Sequence, residues 1–324
     1  MHAQDAILGQ AERLRAARGR MARTVRQCVR AGGRSTLAAI IATPGGLALI
    51  NRLHRHLTPT QRRQFHYRFG LDRHPVHGRW TTTFAGHPVV LPLSPDFPLA
   101  WPSATSFRGE DDHEVHEFYE RLVRSPRRPR VFFDVGANYG FHSLKFLVAG
   151  VRTISFEPNP MCHRYLEACA RLNRVACEIY ALALGDGVGT TELWVPAERT
   201  YRASVVPDVV SALARERDLL RFVVERTTLD RFVAESGLTP DFVKIDTEGS
   251  ELAVLRGAGD LLAAARPLVL FESWPGHRDR PAIFALLEAA GYTVVPLADG
   301  ASDVALDAAT FVASAANDFV ASAG

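Results

Sequence analysis

The sequence predicts an α/β protein with a doubly wound parallel sheet. From residue 131 onwards, short apolar runs alternate with stretches in which apolar residues recur every three or four positions. Short apolar runs bounded by turn residues are typical of buried parallel strands, and the three-to-four spacing is typical of amphipathic helices. An acidic residue stands at or just past the end of each of five successive runs. Repeated strand–helix units of this kind predict a parallel sheet covered by helices.

Charge divides the chain into a basic N-terminal part and a mildly acidic remainder. Residues 1–80 hold 15 arginines and three acidic side chains, a net charge of +12, and the remaining residues carry −9. This asymmetry indicates a basic appendage on a separate body. We therefore expect a basic amphipathic helical arm at residues 1–35, an N-terminal cap region at residues 36–125 and an α/β domain at residues 126–324.

The arm is predicted to be helical over residues 3–31, because its arginines repeat at three- and four-residue spacing. Such a helix could lie on an anionic membrane, contact nucleic acid, or pack on its own body or on a second subunit, and we favour packing. We expect no sequence-specific nucleic-acid partner. The longest apolar run, residues 37–50, is interrupted by Pro44 and is shorter than the roughly 20 residues of a membrane span.

Cysteine usage indicates a reducing compartment. The four cysteines form no C-x-x-C pair and have no zinc-site spacing. Buried thiols are the simpler interpretation, so a cytoplasmic setting is expected, with peripheral membrane contact through the arm as an option.

The cap region changes character along its length. Residues 80–101 predict strands joined by a turn near Gly86, and residues 114–123 predict a helix. Residues 125–130 read as a linker into the α/β domain. Prolines are expected to prevent regular structure at four positions, which are 92, 95, 98 and 102.

The α/β domain opens with residues 131–140, V-F-F-D-V-G-A-N-Y-G. They predict a buried strand ending in Asp134 and a glycine loop over residues 136–140, followed by a helix over residues 141–149. Further strands are predicted at residues 151–156, 177–184, 190–195, 241–245, 267–271, 292–296 and 317–321. Further helices are predicted from Pro160 onwards and at residues 229–235, 252–255 and 283–290.

The glycine loop predicts a ligand with an anionic group. Backbone N–H groups and the positive end of a helix dipole favour such a group, and glycine lets the backbone approach it closely. The spacing is D-x-G-x-x-x-G rather than the G-x-G-x-x-G that packs against a dinucleotide pyrophosphate. This difference points to another adenosine-bearing ligand, S-adenosylmethionine.

Five acidic residues should converge at one edge of the sheet, because the carboxyl ends of parallel strands meet there. They are Asp134, Glu157, Asp186, Asp246 and Glu272. Glu157 can accept hydrogen bonds from two ribose hydroxyls, and Asp186 is placed for the adenine amino group. Asp134 and the loop are expected to hold the amino-acid end. The full predicted cofactor-binding set is Asp134, Gly136, Asn138, Gly140, Glu157, Pro158 and Asp186.

Several motifs, in this order along the chain, resemble the FkbM family of S-adenosylmethionine-dependent methyltransferases. They are D-V-G-A-N-Y-G-F-H-S-L (134–144), F-E-P-N-P (156–160), A-L-G-D (183–186), T-T-L-D-R-F (227–232) and K-I-D-T-E-G-S-E (244–251). The resemblance covers roughly residues 131–270. It implies a class I methyltransferase, Rossmann-like fold whose sheet is mostly parallel with the last strand antiparallel. It also implies O-methylation, usually of a hydroxyl on a sugar or natural product.

The K-I-D-T-E-G-S-E block is the predicted reaction site. A hydroxyl acceptor must be positioned and must lose its proton, and a carboxylate can serve as the base. Asp246 is the leading candidate, followed by Glu248 and Glu272. Lys244 is included in the catalytic set, although it is expected to pair with Asp246 or Glu251 rather than to react.

A metal offers a second way to activate the hydroxyl. Asp246 and Glu272, at adjacent strand ends, would supply oxygen ligands for Mg²⁺. Among the remaining polar residues, Glu251 is interpreted as a first-turn helix charge. His142 could contact the cofactor or acceptor or simply pack, and His277 lies in a loop suited to the acceptor.

The sequence therefore predicts an S-adenosylmethionine-dependent O-methyltransferase acting on a hydroxyl of a sugar, a glycan or a secondary metabolite. Methyl transfer to an amine or a carboxylate on the same scaffold is one alternative. A methyltransferase-like binding protein without turnover is another, although the intact acidic strand ends disfavour it.

Overall fold

The computed structural model describes residues 34–71, 76–97, 99–196, 203–206, 209, 219–297 and 304–324. The predicted arm helix at residues 3–31 lies outside this part of the chain. The chain forms two compact units. The first consists of residues 1–83 and 88–112, and the second consists of residues 84–87 and 113–324. No described helix is long and apolar enough to cross a bilayer.

The first unit consists of short helices and a β-hairpin. Its elements are α1 (Arg34–Ala42), α2 (Gly46–His54), α3 (Pro59–Phe65), a π-helix (His66–Gly70), β1 (Gly78–Phe84), β2 (His87–Leu93) and α4 (Ala100–Ser106). The hairpin turn, residues 84–87, is counted with the second unit. β1 and β2 pair with each other, so the predicted strands joined near Gly86 are confirmed.

The expectation that the prolines exclude regular structure is wrong at two positions. Pro92 lies within β2, and Pro102 is the third residue of α4. β2 belongs to a two-stranded sheet and therefore has an open edge, where a missing N–H costs no ladder hydrogen bond. The first turn of a helix has no internal acceptor for its N–H groups, so Pro102 also loses nothing there.

Aromatic side chains fill the core of the first unit. The ring centroids of Trp80 and Trp101 lie 5.4 Å apart, and the His54 ring packs edge-on to Trp80 at 5.0 Å. Burial is the largest of the effects that lower the pKa of His54 to about 3, so this imidazole is neutral. The Trp101 indole N–H donates to the carbonyl of Phe69 at 2.9 Å. Packing between aromatic rings therefore holds this unit together.

The second unit alternates strands and helices, as predicted. Its helices are α5 (His113–Arg124), α6 (Phe141–Val148), α7 (Pro160–Asn173), α8 (Leu229–Ser236), α9 (Glu251–Arg256), α10 (Gly259–Ala264), α11 (Arg280–Ala289) and α12 (Ala308–Ala313). Its strands are β3 (Val131–Val135), β4 (Arg152–Phe156), β5 (Glu178–Tyr180), β6 (Leu182–Leu184), β7 (Gly189–Pro196), β8 (Leu219–Thr227), β9 (Phe242–Ile245), β10 (Leu268–Glu272), β11 (Tyr292–Leu297) and β12 (Asp318–Ala323).

Within the described residues, seven strands form the central sheet in the order β11-β12-β10-β9-β3-β4-β5. The pairs from β10 to β5 are parallel, and β12 runs antiparallel to both β10 and β11. This is the mostly parallel α/β sheet with an antiparallel last strand that the sequence predicts. The fold class is therefore confirmed.

Two adjacent phenylalanines of β3 show that helices cover both faces of the sheet. Phe132 contacts Phe146 of α6, with ring centroids 4.3 Å apart, and stacks on Phe242 of β9 at 4.9 Å. Phe133 points to the opposite face and contacts Phe232 of α8 at 5.7 Å. All five rings are buried. One face of the sheet thus packs against α6 and the other against α8.

The third predicted strand, residues 177–184, is wrong as a single element. It breaks at Ala181 into β5, which pairs with β4 in the central sheet, and β6, which pairs with β8. β6, β8 and β7 form a separate three-stranded sheet. The chain leaves the central sheet at this break because β8, which the sequence analysis missed, supplies a second partner.

The direction in which successive strands join the sheet reverses between β3 and β9. After β3, the chain adds β4 and β5 on one side, and it then returns to add β9 on the other side of β3. Ligands of open α/β sheets bind in the crevice beyond the carboxyl ends of the strands at such a switch point. The carboxyl ends of β3 and β9 therefore mark the expected position of the site.

A buried arginine ties three segments of the second unit together. Arg280, at the start of α11, is 0% exposed, and its guanidinium lies 5.1 Å from the Phe319 ring centroid. It donates hydrogen bonds to five backbone carbonyls, those of Ser273, Phe311, Val312, Ser314 and Ala316. Arg280 thereby joins the loop after β10 to the end of α12 and to the approach to β12.

We predict that Arg280→Met lowers the free energy of unfolding by about 3 kcal/mol, because buried carbonyls lose their charged donor. Urea unfolding followed by circular dichroism measures this change. Arg278→Met is the matched control, since the Arg278 side chain is 72% exposed, and its effect should stay below about 0.5 kcal/mol. Equal unfolding midpoints for the two variants would show that the carbonyls find other donors.

Candidate active site

An open cleft with about 680 Å³ of empty space lies at the carboxyl ends of β3, β4 and β9. Six predicted site residues line it, namely Gly136, Asn138, Glu157, Pro158, Asp246 and Glu248. Apolar side chains such as Phe156, Leu184 and Leu193 contribute much of the remaining wall. The cleft thus combines an apolar surface with a few convergent polar groups.

The glycine loop forms one wall of the cleft and requires its glycines. Gly136 has φ 76°, and a Cβ there would lie 1.8 Å from the Asp246 carbonyl oxygen. Its N–H and that of Ala137 both donate to the Phe156 carbonyl at 3.0 Å. Gly140, with φ 78°, precedes α6 as its N-cap. The loop therefore runs in direct contact with the ends of both β4 and β9.

Glu157 places a buried carboxylate on the cleft. Its Oε2 accepts the Asn138 N–H at 2.7 Å, and its Oε1 accepts the Asn159 N–H at 2.8 Å. Burial raises the pKa of Glu157 to about 7, although the two N–H groups act in the opposite direction. Asn138 adopts a left-handed backbone, φ 52°, so the contact holds the loop in a conformation that few residues adopt. Glu157 thus both shapes the loop and lines the cleft.

Lys244 links the two central strand ends beneath the cleft. It is 2% exposed, and its Nζ lies 3.1 Å from Asp246 Oδ2 and 3.5 Å from Asp134 Oδ1. Asp134 is the register partner of Lys244, and its other oxygen accepts a hydrogen bond from Ser143 Oγ at 2.6 Å. Burial alone would lower the pKa of Lys244, but the charges of Asp246 and Asp134 raise it above its ordinary value. The pairing of Lys244 with Asp246 expected from the sequence is present.

Glu251 fixes the loop that carries Asp246 and Glu248. Its Oε1 accepts hydrogen bonds from the Thr247 N–H at 2.8 Å, the Thr247 hydroxyl at 2.9 Å and the Gly249 N–H at 3.2 Å. It is the first residue of α9, as interpreted from the sequence, but it is buried rather than a solvated charge. Burial is also the largest effect that raises its pKa. These hydrogen bonds tie the turn at residues 247–249 to the first residue of α9. Glu248, within this turn, has φ 56°.

Glu272 lies beside Asp246 but in a different electrostatic setting. It is the last residue of β10, opposite Asp318 of β12. Burial and the charge of Asp246 raise the pKa of Glu272 to about 9, while a hydrogen bond from the Trp274 side chain acts in the opposite direction. At neutral pH, Glu272 is therefore protonated, whereas Asp246 faces the Lys244 ammonium. The two neighbouring carboxyl groups therefore lie in different electrostatic surroundings.

The predicted Mg²⁺ site gains no support from the geometry. In the part of the chain that the structure describes, no group of three or more His, Cys, Asp or Glu side chains is arranged to hold a metal. Asp246 and Glu272 therefore lack a third protein ligand there. The Lys244 ammonium also lies against one oxygen of Asp246, at 3.1 Å, where it would compete with a cation.

The cleft lining leaves out four of the predicted site residues described above, Asp134, Gly140, Lys244 and Glu272, and three further candidates, Asp186, His142 and His277. Asp186 follows β6 into the small sheet, where it is half exposed and lies 4.0 Å from Arg226. His142, in the first turn of α6, makes a 3.0 Å hydrogen bond through Nδ1 with the Tyr119 hydroxyl. Burial lowers the pKa of His142 well below its usual range, and nearby cations add to this effect. His277 Nδ1 accepts a long hydrogen bond, 3.4 Å, from the N–H two residues later.

The sequence analysis missed the part of the wall formed by residues 203–205. Ser204 forms a bridge with Trp194 of β7, and its hydroxyl donates to the Glu248 carbonyl at 3.0 Å. Its neighbours Ala203 and Val205 also line the cleft. No motif marks this segment, because its position depends on contacts with β7 and with the loop before α9.

Comparisons with known proteins identify the domain. A family model described as the methyltransferase FkbM domain matches residues 134–294. The methyltransferase sdnD of Sordaria araneosa is 28% identical over 200 residues, which cover 53% of this chain and 77% of that protein. The 31-O-demethyl-FK506 methyltransferase FkbM of Streptomyces tacrolimicus is also 28% identical, over 194 residues that cover 51% of this chain and 73% of that protein.

Among solved structures, the methyltransferase FkbM of Methylobacillus flagellatus superimposes with a TM-score of 0.40 at 14% identity. The match covers 68% of this chain and 54% of that one, and it is too remote to bear on the chemistry of the site. The family model and the two relatives agree with the motifs found in the sequence. The chain therefore carries a methyltransferase domain of the FkbM family at residues 134–294.

Proposed function

We propose that this methyltransferase uses S-adenosylmethionine to methylate a hydroxyl oxygen on a sugar, a glycan or a secondary metabolite. The observation that carries the proposal is the position of Asp246. Its carboxylate lines the same cleft as Glu157 and is held by a buried ammonium at 3.1 Å. A cofactor bound along Glu157 would end beside this carboxylate, where an acceptor can lose its proton.

The cleft residues fit the cofactor. Each carboxylate oxygen of Glu157 accepts one backbone N–H, so each retains a second acceptor position for a ribose hydroxyl. The glycine loop ends at the N-terminus of α6, an eight-residue helix whose dipole favours a carboxylate such as that of the amino-acid end. When bound, S-adenosylmethionine supplies an electrophilic methyl group on a cationic sulfur, which nearby carboxylates stabilise.

The chain's own residues then position and deprotonate the acceptor. Asp246 would accept the proton of the acceptor hydroxyl, and Lys244 holds this carboxylate in place. Glu272, which is protonated at neutral pH, donates a hydrogen bond to the acceptor. Fixing two reactants in line supplies a large part of the rate acceleration of such displacements.

A relative supports oxygen as the methylated atom. The printed name of the Streptomyces tacrolimicus protein describes methyl transfer to 31-O-demethyl-FK506, and therefore to an oxygen of that compound. We extend the same atom type to this chain. We also propose a cytoplasmic setting, which is supported by the free Cys162, Cys169 and Cys177 of the described residues.

Calorimetry with S-adenosylmethionine and S-adenosylhomocysteine tests the proposal, followed by turnover on hydroxyl, amine and carboxylate acceptors with and without a chelator. We expect both cofactor forms to bind and methyl transfer to favour hydroxyl acceptors. A preference for amines or carboxylates would favour methylation of those groups instead. Binding without turnover on any acceptor would favour a binding protein, and no binding would contradict the cofactor assignment.

We predict that the affinity for S-adenosylhomocysteine rises about tenfold between pH 6 and pH 8. The ionised Glu157 accepts the ribose hydrogen bonds, and with a pKa of about 7 this carboxylate changes from mostly neutral to mostly ionised over that range. Glu157→Gln should bind more weakly and should remove the pH dependence. Glu167→Gln is the matched control, because its side chain is 50% exposed on α7, and it should leave the pH profile unchanged. A pH profile in Glu157→Gln equal to that of the wild type would contradict the ribose contact.

We predict that Asp246→Asn lowers the single-turnover rate at least 100-fold, since the amide cannot accept the hydroxyl proton. Rapid-quench measurements of methyl transfer at saturating cofactor test this, with thermal unfolding as a check on the fold. Asp260→Asn, an exposed change on α10, should keep the wild-type rate. An Asp246→Asn rate within fivefold of the wild type would exclude Asp246 as the base.

A further inference from the structure

A continuous stripe of exposed side chains runs along α3 and the π-helix of the first unit. Buried residues occur at positions 62, 65, 66, 69 and 70, and exposed residues recur between them at three- or four-residue spacing. Positions with this spacing lie on one side of a helical segment. We call this set the α3–π stripe, and its members are Thr60, Arg63, Gln64, Tyr67, Arg68 and Leu71.

The α3–π stripe is cationic and lies in a segment without acidic residues. Residues 34–71 contain six arginines and no aspartate or glutamate. One of these arginines, Arg62, is buried and pairs with Glu110 at 2.7 Å. No carboxylate of the described residues forms an ion pair with Arg63 or Arg68. Both exposed guanidinium groups can therefore pair with an anionic partner.

Large apolar side chains are exposed among these arginines. Tyr67 is 53% exposed and Leu71 is 58% exposed, and they are neighbours along the α3–π stripe. Each of them stands three or four residues from an arginine of the stripe. α2 exposes a similar combination, since Leu49 is 44% exposed and the exposed Arg52 follows three residues later. Positive charge and exposed apolar surface thus occur together in this unit.

The side of the segment opposite the stripe is fixed to the core. Phe65 and Phe69 are both 3% exposed, with ring centroids 5.3 Å apart. His66 Nδ1 forms a 2.8 Å hydrogen bond with the hydroxyl of Thr105 in α4, and the Trp101 indole of the same helix donates to the Phe69 carbonyl. The backbone that presents the stripe is therefore ordered before a partner arrives, and such preorganisation favours binding.

Charge and side-chain type favour a membrane over other partners. A two-fold contact with a second copy would bring the same arginines together, which is unfavourable. Nucleic acid is bound by stacking bases on aromatic rings, yet Tyr67 is the one exposed side chain among the described Phe, Tyr and Trp residues of this unit. Leucine side chains do not stack, but they enter the boundary between lipid headgroups and acyl chains, while arginines contact the anionic headgroups.

We propose that the α3–π stripe binds the anionic headgroup surface of a lipid bilayer, so that the protein attaches peripherally to a membrane. Arg63 and Arg68 would pair with lipid phosphates, and Tyr67 and Leu71 would enter the boundary above the acyl chains. This contact differs from the one considered for the arm at residues 1–35, because the stripe lies at residues 60–71. It goes beyond the proposed function and does not depend on it.

Co-sedimentation of the full-length protein with lipid vesicles tests the contact. Vesicles of phosphatidylcholine with about one third phosphatidylglycerol supply the anionic surface, and pure phosphatidylcholine vesicles are the neutral reference. We expect the wild type to bind the anionic vesicles and to bind the neutral ones at least tenfold more weakly. Raising the salt to about 0.5 M should also weaken binding, because it screens the charges.

Arg63→Gln combined with Arg68→Gln should lower the partition coefficient on anionic vesicles about tenfold, because two charges leave the contact. The matched control is Arg164→Gln combined with Arg171→Gln. These two arginines are exposed on α7 of the second unit, so the control removes the same net charge elsewhere. We expect its partition coefficient to stay within twofold of the wild-type value.

Tyr67→Ser combined with Leu71→Ser tests the apolar part of the contact at unchanged charge. This pair should also lower the partition coefficient about tenfold, because apolar area no longer leaves water at the membrane. Leu220→Ser combined with Val223→Ser is the matched control, since these side chains on β8 are 40% and 65% exposed. The temperature of thermal unfolding, followed by circular dichroism, checks that each variant is folded.

Each remaining outcome decides the question. A wild type that does not bind anionic vesicles would overturn the proposal, and so would stripe variants that bind as well as their controls. An effect of the arginine pair without an effect of the Tyr67–Leu71 pair would exclude insertion of apolar side chains. Binding of a single-stranded RNA oligonucleotide is measured with the same variants. Loss of RNA binding with unchanged vesicle binding would assign the stripe to nucleic acid instead.

Discussion

The buried ammonium of Lys244 holds the centre of the site together. Its side chain is 3% exposed, and it contacts Asp246 at 3.1 Å and Asp134 at 3.5 Å. Removing one partner from a buried charge pair typically costs about 3–5 kcal/mol, because the remaining charge is left without compensation. Asp134 and Lys244 are register partners on β3 and β9, the strands on either side of the switch point. Because the pairing of β3 with β9 fixes Lys244 beside Asp134, it also fixes the ammonium that holds Asp246.

The same contact makes two neighbouring carboxyl groups chemically different. Asp246 faces the Lys244 ammonium, which lies 3.1 Å from one of its carboxylate oxygens. Glu272 instead faces Asp246, while Asp318 lies opposite it in β12, and burial together with these charges raises its pKa to about 9. The two neighbouring strand ends therefore carry carboxyl groups in different electrostatic surroundings.

Much of the central sheet could be predicted from the sequence, because its strands are short apolar runs closed by turn residues. The glycine loop and Glu157 could also be predicted, because the contacts that define them lie within about one strand–helix–strand unit. Other features depended on partners that sequence patterns do not reveal. Residues 177–184 read as one strand, yet β8 draws β6 into a second sheet and carries Asp186 with it. Pro102 is predicted to prevent regular structure, although the first turn of α4 tolerates it.

This difference between local and distant contacts also separates the two ends of the site. Asn138 and Glu157, on the side of the cleft proposed for the cofactor, are 19 residues apart in the chain. The loop after β10, in contrast, is held by Arg280, which bonds Ser314 and Ala316 some 34 and 36 residues further on. Contacts within one strand–helix–strand unit leave a short continuous pattern in the sequence, whereas contacts between distant segments leave none. The sequence therefore predicts the glycine loop and Glu157, and it does not predict how the loop after β10 is held.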